Sequence, residues 1–239
     1  MIPSGCSIDA VIEQRTGPDL RAWRPQGFGS VKAQRIADPL IEPVWIGERV
    51  LVHVSEGSVE IVDAAGRPVT DETDDVAAGI AGGVRAGSVV LDGYLTHQAT
   101  IPPPAPGRGE VEVPSAGEMT AQMLLGRRTR RKELVEEADA MAAVETADSP
   151  LAFVAIDLLE LDGITLLDVP LLERKRLLES AVVEGDLLRT GAYVRPPIDA
   201  WLGTWRSLGF FEVAYKAANG RYAPGRPSES WATARIPKP

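Results

Sequence analysis

The sequence predicts an α+β fold, and three stretches carry that expectation: an alternating hairpin within residues 41–62, a largely apolar run over residues 151–159, and a helix opened by Pro170. Mixed strands with interposed helices read as that class.

The stretch from Ile41 to Val54 ends in alternating apolar and polar residues, the pattern of a half-buried strand. Glu56-Gly57 then turns the chain into a second such run from Ser58 to Val62, and Asp63-Ala64-Ala65-Gly66-Arg67-Pro68 makes the turn beyond it. The acidic stretch 70–77 and the cluster Gly79-Ile80-Ala81-Gly82-Gly83 read as a loop leading to a strand over 88–91, which ends at Asp92-Gly93. That cluster has neither the spacing nor the lysine of a phosphate-binding P-loop.

Residues 101–114 are proline-rich and read as an extended surface loop. Residues 116–125 and 132–144 look helical. Between them lies the densest basic run, in which Arg127, Arg128, Arg130, Arg131 and Lys132 are candidate phosphate contacts, a solvated face being the commoner use of such a run. Residues 151–159 are apolar except for Asp157, consistent with a strand buried on both faces. Leu161-Asp162-Gly163 turns away from it, and Pro170 sits where a proline opens a helix. In that helix Leu171, Leu172, Leu177 and Leu178 form an apolar stripe, with Glu173, Arg174, Lys175 and Arg176 largely on the other face. Strand, helix and strand follow over 193–196, 201–208 and 211–216, then a turn and a last short strand within 222–236. Residues 1–38 are punctuated by proline and glycine, with a short helix around 8–15. They read as a lead-in packed on one domain over 39–239.

A chain of 239 residues, 44% hydrophobic, buries a sizeable core. Its net charge of −9 argues against a protein that wraps nucleic acid unaided, so autonomous DNA binding is expected to be weak or absent. A single cysteine, Cys6, forbids an internal disulfide, and His53 and His97 offer no zinc-ligand spacing, so no metal site is expected. No apolar run is long enough to span a bilayer and no leader pattern opens the chain, so a cytoplasmic location with no membrane partner is the expectation.

Glu42-Pro43-Val44-Trp45-Ile46-Gly47-Glu48-Arg49 resembles the nucleotidyl-transfer motif of ATP-dependent DNA ligases, which is close to EPKWDGxR. Leu161-Asp162-Gly163 through Pro170-Leu171-Leu172-Glu173-Arg174 is similar to the family's LDGxxLxxxPLxERR, and residues 222–231 resemble YxPGxRSxxW. The blocks recur in the family's order from about Leu40 to Ile236. The resemblance implies the nucleotidyltransferase fold of the ligase and capping-enzyme superfamily, two antiparallel sheets flanked by helices with ATP between them, and it covers no OB-fold domain.

At the chemical positions the chain departs from this pattern. The family's nucleophilic lysine falls on Val44 and its aspartate on Ile46; its DGE is Asp92-Gly93-Tyr94, and the aromatic before its buried aspartate is Ile156. In the turn after the hairpin, where the family has an arginine that contacts DNA or phosphate, stands Ala64. Of EGxxxK only the lysine remains, as Lys216, with Phe211 and Glu212 at the first two positions, and the closing WLKxK keeps one cation, as Arg235. The degenerate cleft implied by the resemblance thus comprises Glu42, Val44, Ile46, Gly47, Arg49, Tyr94, Ile156, Lys216 and Arg235, with no catalytic residue.

Valine has no nucleophilic atom, so no phosphoramidate forms at Val44. The expectation is a catalytically silent ligase-like module with an unidentified protein partner in DNA repair. No cofactor is expected; ATP and magnesium enter only if the cleft is open. Retained ATP or nucleic-acid binding and a relocated nucleophile, Lys216, are the alternatives. The apolar residues Val44, Ile46 and Ile156 are expected to fill the old cleft by packing together.

Overall fold

Two β-sheets meet around Trp231 in the computed structural model, which describes residues 22–98 and 149–237. The larger sheet runs β4 (Ser58–Asp63), β3 (Glu48–Ser55), β5 (Ser88–Thr96), β6 (Ala152–Leu161) and β7 (Ile164–Thr165) with antiparallel neighbours. A short strand, β8 (Leu188–Thr190), pairs with β6 in parallel. The smaller sheet is antiparallel in the order β11 (Trp231–Arg235), β9 (Glu212–Ala217) and β2 (Pro39–Pro43). A two-residue parallel pair, β1 (Gly27–Phe28) with β10 (Pro227–Ser228), stands beside them. Among the described residues three α-helices, α1 (Asp74–Gly83), α2 (Leu171–Ala181) and α3 (Asp199–Ser207), and a 3-10 turn at Ala33–Arg35 accompany the sheets.

Strand alternation sorts the core. Val50, Val52 and Val54 of β3 join a cluster with Ile80 of α1 and Leu178 of α2, while Leu51 points to the other face. There Leu51, Val62, Val90 and Leu159 meet Trp23, Tyr222 and Trp231, which glues the large sheet to the small one. Residues 152–160 are all buried, as the largely apolar run predicts, and the buried stretch includes Asp157 and Glu160.

Several elements differ from the sequence reading. The run 41–54 is two strands in two sheets: β2 ends at Pro43, the chain crosses through Val44-Trp45-Ile46-Gly47, and β3 begins at Glu48. Gly47 permits the crossing, because a Cβ there would lie 2.0 Å from the Leu95 carbonyl oxygen. The glycine cluster 79–83 is the C-terminal half of α1 rather than a loop. Asp74 and Asp75 suit its positive N-terminal end, and Val76, Ile80 and Gly83 share its buried face. Its glycines admit β8 and its approach, since a Cβ on Gly83 would meet Leu188 Cδ2 at 2.5 Å and one on Gly79 would meet Leu187 Cβ at 3.1 Å. Strand β5 does not stop at Asp92-Gly93 but runs on to Thr96, because Gly93 lets β6 approach: a Cβ there would lie 2.3 Å from the Val154 carbonyl oxygen.

The expected strand over 193–196 reduces to one bridge, Val194 with Ile41, since Pro196 and Pro197 carry no N–H to extend it. Helix α2 forms after Pro170, but its polar face is misplaced in the sequence reading: Arg174 and Lys175 are buried with Leu171 and Leu178, while Leu172 and Leu177 are only partly covered. The helix around 8–15, the loop 101–114, the helices 116–125 and 132–144 and the basic run Arg127 to Lys132 lie outside the described residues.

Candidate functional site

Beside the apolar cluster around Trp231, charged side chains also meet where the two sheets face each other. Glu42 on β2 is 2% exposed and sits between two ammonium groups, Lys216 Nζ of β9 at 2.9 Å from Oε2 and Lys175 Nζ of α2 at 2.9 Å from Oε1. Helix α2 packs on β6 of the large sheet, so the Lys175 contact ties one sheet to the other. Arg49 on β3 donates to both carboxylate oxygens of Asp92 on β5, at 2.9 and 2.6 Å. The Tyr222 hydroxyl donates to the same carboxylate at 2.7 Å and accepts the Gln26 N–H at 2.8 Å. Asp157, the residue across from Asp92 in the β5–β6 ladder, takes a two-pronged bond from Arg174 at 2.8 and 2.7 Å. Trp231 is the common floor: its ring lies 4.2 Å from Lys216 Nζ and 5.3 Å from the Arg49 guanidinium, distances at which a ring face attracts a cation.

Four cations, Arg49, Arg174, Lys175 and Lys216, thus meet three carboxylates, Glu42, Asp92 and Asp157, inside the protein. Burial alone would raise the Glu42 carboxyl, but the two ammonium groups outweigh it and hold the group below its ordinary range. Burial pushes the Lys216 amine down, and Lys175 and Arg49 add to that push against the pull of Glu42. Burial pushes the Tyr222 hydroxyl well up, and Asp92 beside it pushes in the same direction, so it stays a hydrogen-bond donor.

Of the cleft positions expected from the sequence, the structure brings Glu42, Arg49, Tyr94 and Lys216 together around Trp231, with Tyr94 8% exposed and its ring 5.8 Å from the Arg49 guanidinium. The others stand elsewhere. Val44 is half-buried, its N–H bonded to the Glu212 carbonyl at 2.9 Å, which continues the β2–β9 ladder by one residue. Ile46 is 52% exposed, and Ile156 is 3% exposed with its Cγ2 3.1 Å from where a Cβ on Gly191 would stand. The expected apolar filling by Val44, Ile46 and Ile156 is therefore corrected: Ile46 lies outside the core, and the space between the sheets holds the ion pairs beside the cluster around Trp231. Arg235 carries a 92% exposed side chain 4.0 Å from Glu212. Because Ile46 is exposed, Ile46→Asp is expected to cost less than about 1 kcal/mol in urea unfolding, in place of the larger loss that a packed core position would suffer.

Lys175, Arg174, Asp157, Tyr222 and Gln26 belong to this constellation and were not singled out as site residues from the sequence. A signal was available for two of them. Counting i, i+3, i+4 and i+7 from Leu171 gives Arg174, Lys175 and Leu178, so the helical period places both cations on the buried stripe.

A magnesium ion fits the carboxylates of this constellation poorly. Glu42, Asp92 and Asp157 already spend their oxygens on cations of the chain, and among the described residues no group of three or more His, Cys, Asp or Glu side chains is placed to hold a metal ion. Among the same residues, no helix is long and apolar enough to cross a membrane.

No known protein-family profile matches the chain. Individual proteins do. A DNA ligase 2 of Methanosarcina acetivorans is 28% identical over 207 residues, covering 80% of this chain and 31% of that protein. The multifunctional non-homologous end joining protein LigD of Mycolicibacterium smegmatis is 28% identical over 225 residues, covering 91% of this chain and 25% of that protein. The chain thus spans roughly a quarter to a third of the length of these relatives, going by their 25% and 31% shares. The ligase domain of Mycobacterium tuberculosis LigD superposes with a TM-score of 0.58 at 26% identity, covering 91% of this chain and 60% of that one. A mycobacterial DNA ligase D complexed with ATP and MES superposes with a TM-score of 0.58 at 26% identity, covering 91% of this chain and 61% of that one. The chain is a homologue of ATP-dependent DNA ligases and carries the nucleotidyltransferase fold of their adenylation domain.

Proposed function

We propose that this chain is a catalytically silent ligase-like protein that works in the cytoplasm as a binding or scaffolding module for a DNA-repair partner, without covalent nucleotide chemistry. One observation carries the reading: at the position matched to the nucleophilic lysine stands Val44, whose side chain has no lone pair to attack phosphorus. The geometry around it supports the same reading. Lys216, the lysine nearest in role, is 1% exposed, bonded to Glu42 and stacked on Trp231, so its amine is committed to the interior. Weak autonomous DNA binding belongs to the same proposal, since a net charge of −9 disfavours contact with phosphates.

The test is incubation with ATP labelled at the α-phosphate and magnesium, followed by denaturing electrophoresis. The expected outcome is no covalent label on the wild-type chain and none on Lys216→Ala. A label that survives denaturation and disappears in Lys216→Ala would establish a relocated nucleophile and end the proposal. The Val44→Lys variant is also expected to stay unlabelled, because Glu42, Asp92 and Asp157 remain spent on buried cations.

A further inference from the structure

Among the described residues six large apolar side chains are exposed: Ile46, Ile164, Val183, Trp201, Leu208 and Phe211. Four of them, Ile46, Trp201, Leu208 and Phe211, belong to one corner, formed by α3, the start of β9 and the crossing segment before β3. The Gln98 side chain stitches this corner together, its Oε1 accepting the Ile46 N–H at 3.1 Å and its Nε2 donating to the Leu208 carbonyl at 3.1 Å. Beneath lies a rigid aromatic base: Trp45 meets Phe210 edge-on at 4.9 Å, Trp201 lies 6.0 Å from Trp205, and Trp205 and Phe210 share one buried cluster. Phe211 is 65% exposed while its neighbour Phe210 is 3% exposed in the buried cluster, so the aromatic anchor of this segment is already supplied without Phe211.

Exposed apolar residues scattered singly are ordinary on a protein surface, but a cluster on a rigid base marks a contact surface. The charges around it select the occupant. Glu48, Asp71, Asp199 and Glu212 supply four carboxylates on this corner, against the guanidiniums of Arg206 and Arg235. Arg206 is partly spent on the Pro237 carbonyl, and Arg235 stands 4.0 Å from Glu212. An acidic rim repels nucleic-acid phosphates, and it repels the same rim on a second copy of the chain.

We propose that this corner docks a partner protein, through an apolar segment of the partner flanked by lysine and arginine. The inference rests on the reading of the chain as a binding module and names the chemistry of what it binds. Phe211 and Leu208 insert between the partner's apolar side chains, and Glu212 and Glu48 pair with its cations.

The test replaces Phe211 with the photo-cross-linker p-benzoylphenylalanine in the native host, irradiates, and identifies the cross-linked peptide by mass spectrometry. The protein so identified is then purified and titrated against the full chain. The expected result is a cross-linked segment that carries both apolar and basic residues, with affinity reduced at least tenfold by Phe211→Asp and by Leu208→Asp, reduced by Glu212→Lys, and unchanged within twofold by Ile164→Asp on the β6–β7 hairpin. Phe211 and Leu208 are exposed, so unchanged melting curves verify that these variants fold. Cross-links only within the chain, to a second copy or to nucleic acid, no cross-link at all, or a partner that binds Phe211→Asp as tightly as the wild type, each overturn the proposal. Labelling with ATP reads the other hypothesis separately: an adenylate on the wild-type chain removes the silent-module reading and leaves the titration to be judged by itself.

Discussion

Glu42→Ala is expected to destabilise the fold by about 3–5 kcal/mol in urea unfolding, the cost of removing one partner from a buried ion cluster. The loss is large because two ammonium groups, Lys175 and Lys216, depend on this carboxylate, and both are 1% exposed. Glu42→Gln keeps the shape and one acceptor but no charge, and is expected to fall between wild type and alanine. The pH dependence has a definite sign. The Glu42 carboxyl lies below its ordinary value of 4.5 in the folded state, so its contribution is fully present above the unfolded value and is lost as pH falls through the lower, folded one. The difference in urea midpoint between wild type and Glu42→Gln is therefore expected to be constant from pH 7 down to about 5 and to shrink in more acid solution. A difference that grows on acidification would show that the carboxyl is neutral in the folded protein.

Breaking the second buried pair is expected to be comparably costly. Asp157→Leu leaves the Arg174 guanidinium, 0% exposed, with the carbonyls of Val169 and Gly220 and the Tyr222 ring, and should cost about 3–5 kcal/mol. Arg174→Met strands the Asp157 carboxylate, which then keeps only the Leu158 N–H at 2.9 Å, and should cost a similar amount. The double variant Asp157→Leu with Arg174→Met removes both charges and supplies apolar volume, so it is expected to recover most of either loss. A double-mutant cycle by urea unfolding measures the difference as the coupling of the pair. Additive losses would mean that the two side chains stabilise the fold independently and that the salt bridge is incidental.

The contrast between what was legible and what was not follows the range of the forces involved. Strand β6, the β3–β4 hairpin and the opening of α2 at Pro170 were readable because local patterns decide them: an apolar run of strand length broken only at Asp157, a Glu-Gly turn, a proline that fixes the first turn. Helix α1 was misread because its glycines look like loop residues until Leu187 and Leu188 are seen to press against them. The end of β5 was misread for the same reason, Gly93 serving close approach to β6 rather than a turn.

The ligase-like blocks, and the valine at position 44 within the first of them, are written in the order of residues, so the sequence by itself determined the fold family. Only the tertiary structure decided what occupies the space between the sheets. Glu42 and Lys216 are 174 positions apart in the chain and Arg49 and Asp92 are 43 apart, and no local pattern announces that such groups will meet in a region from which water is excluded. Ile46, apolar and matched to a site position, looks like core until the chain crossing at Gly47 turns it outward to 52% exposure. Hydrophobicity and periodicity fix which face of one element is buried. Which buried charges find partners depends on the distance between sheets, and that distance exists only once they have packed.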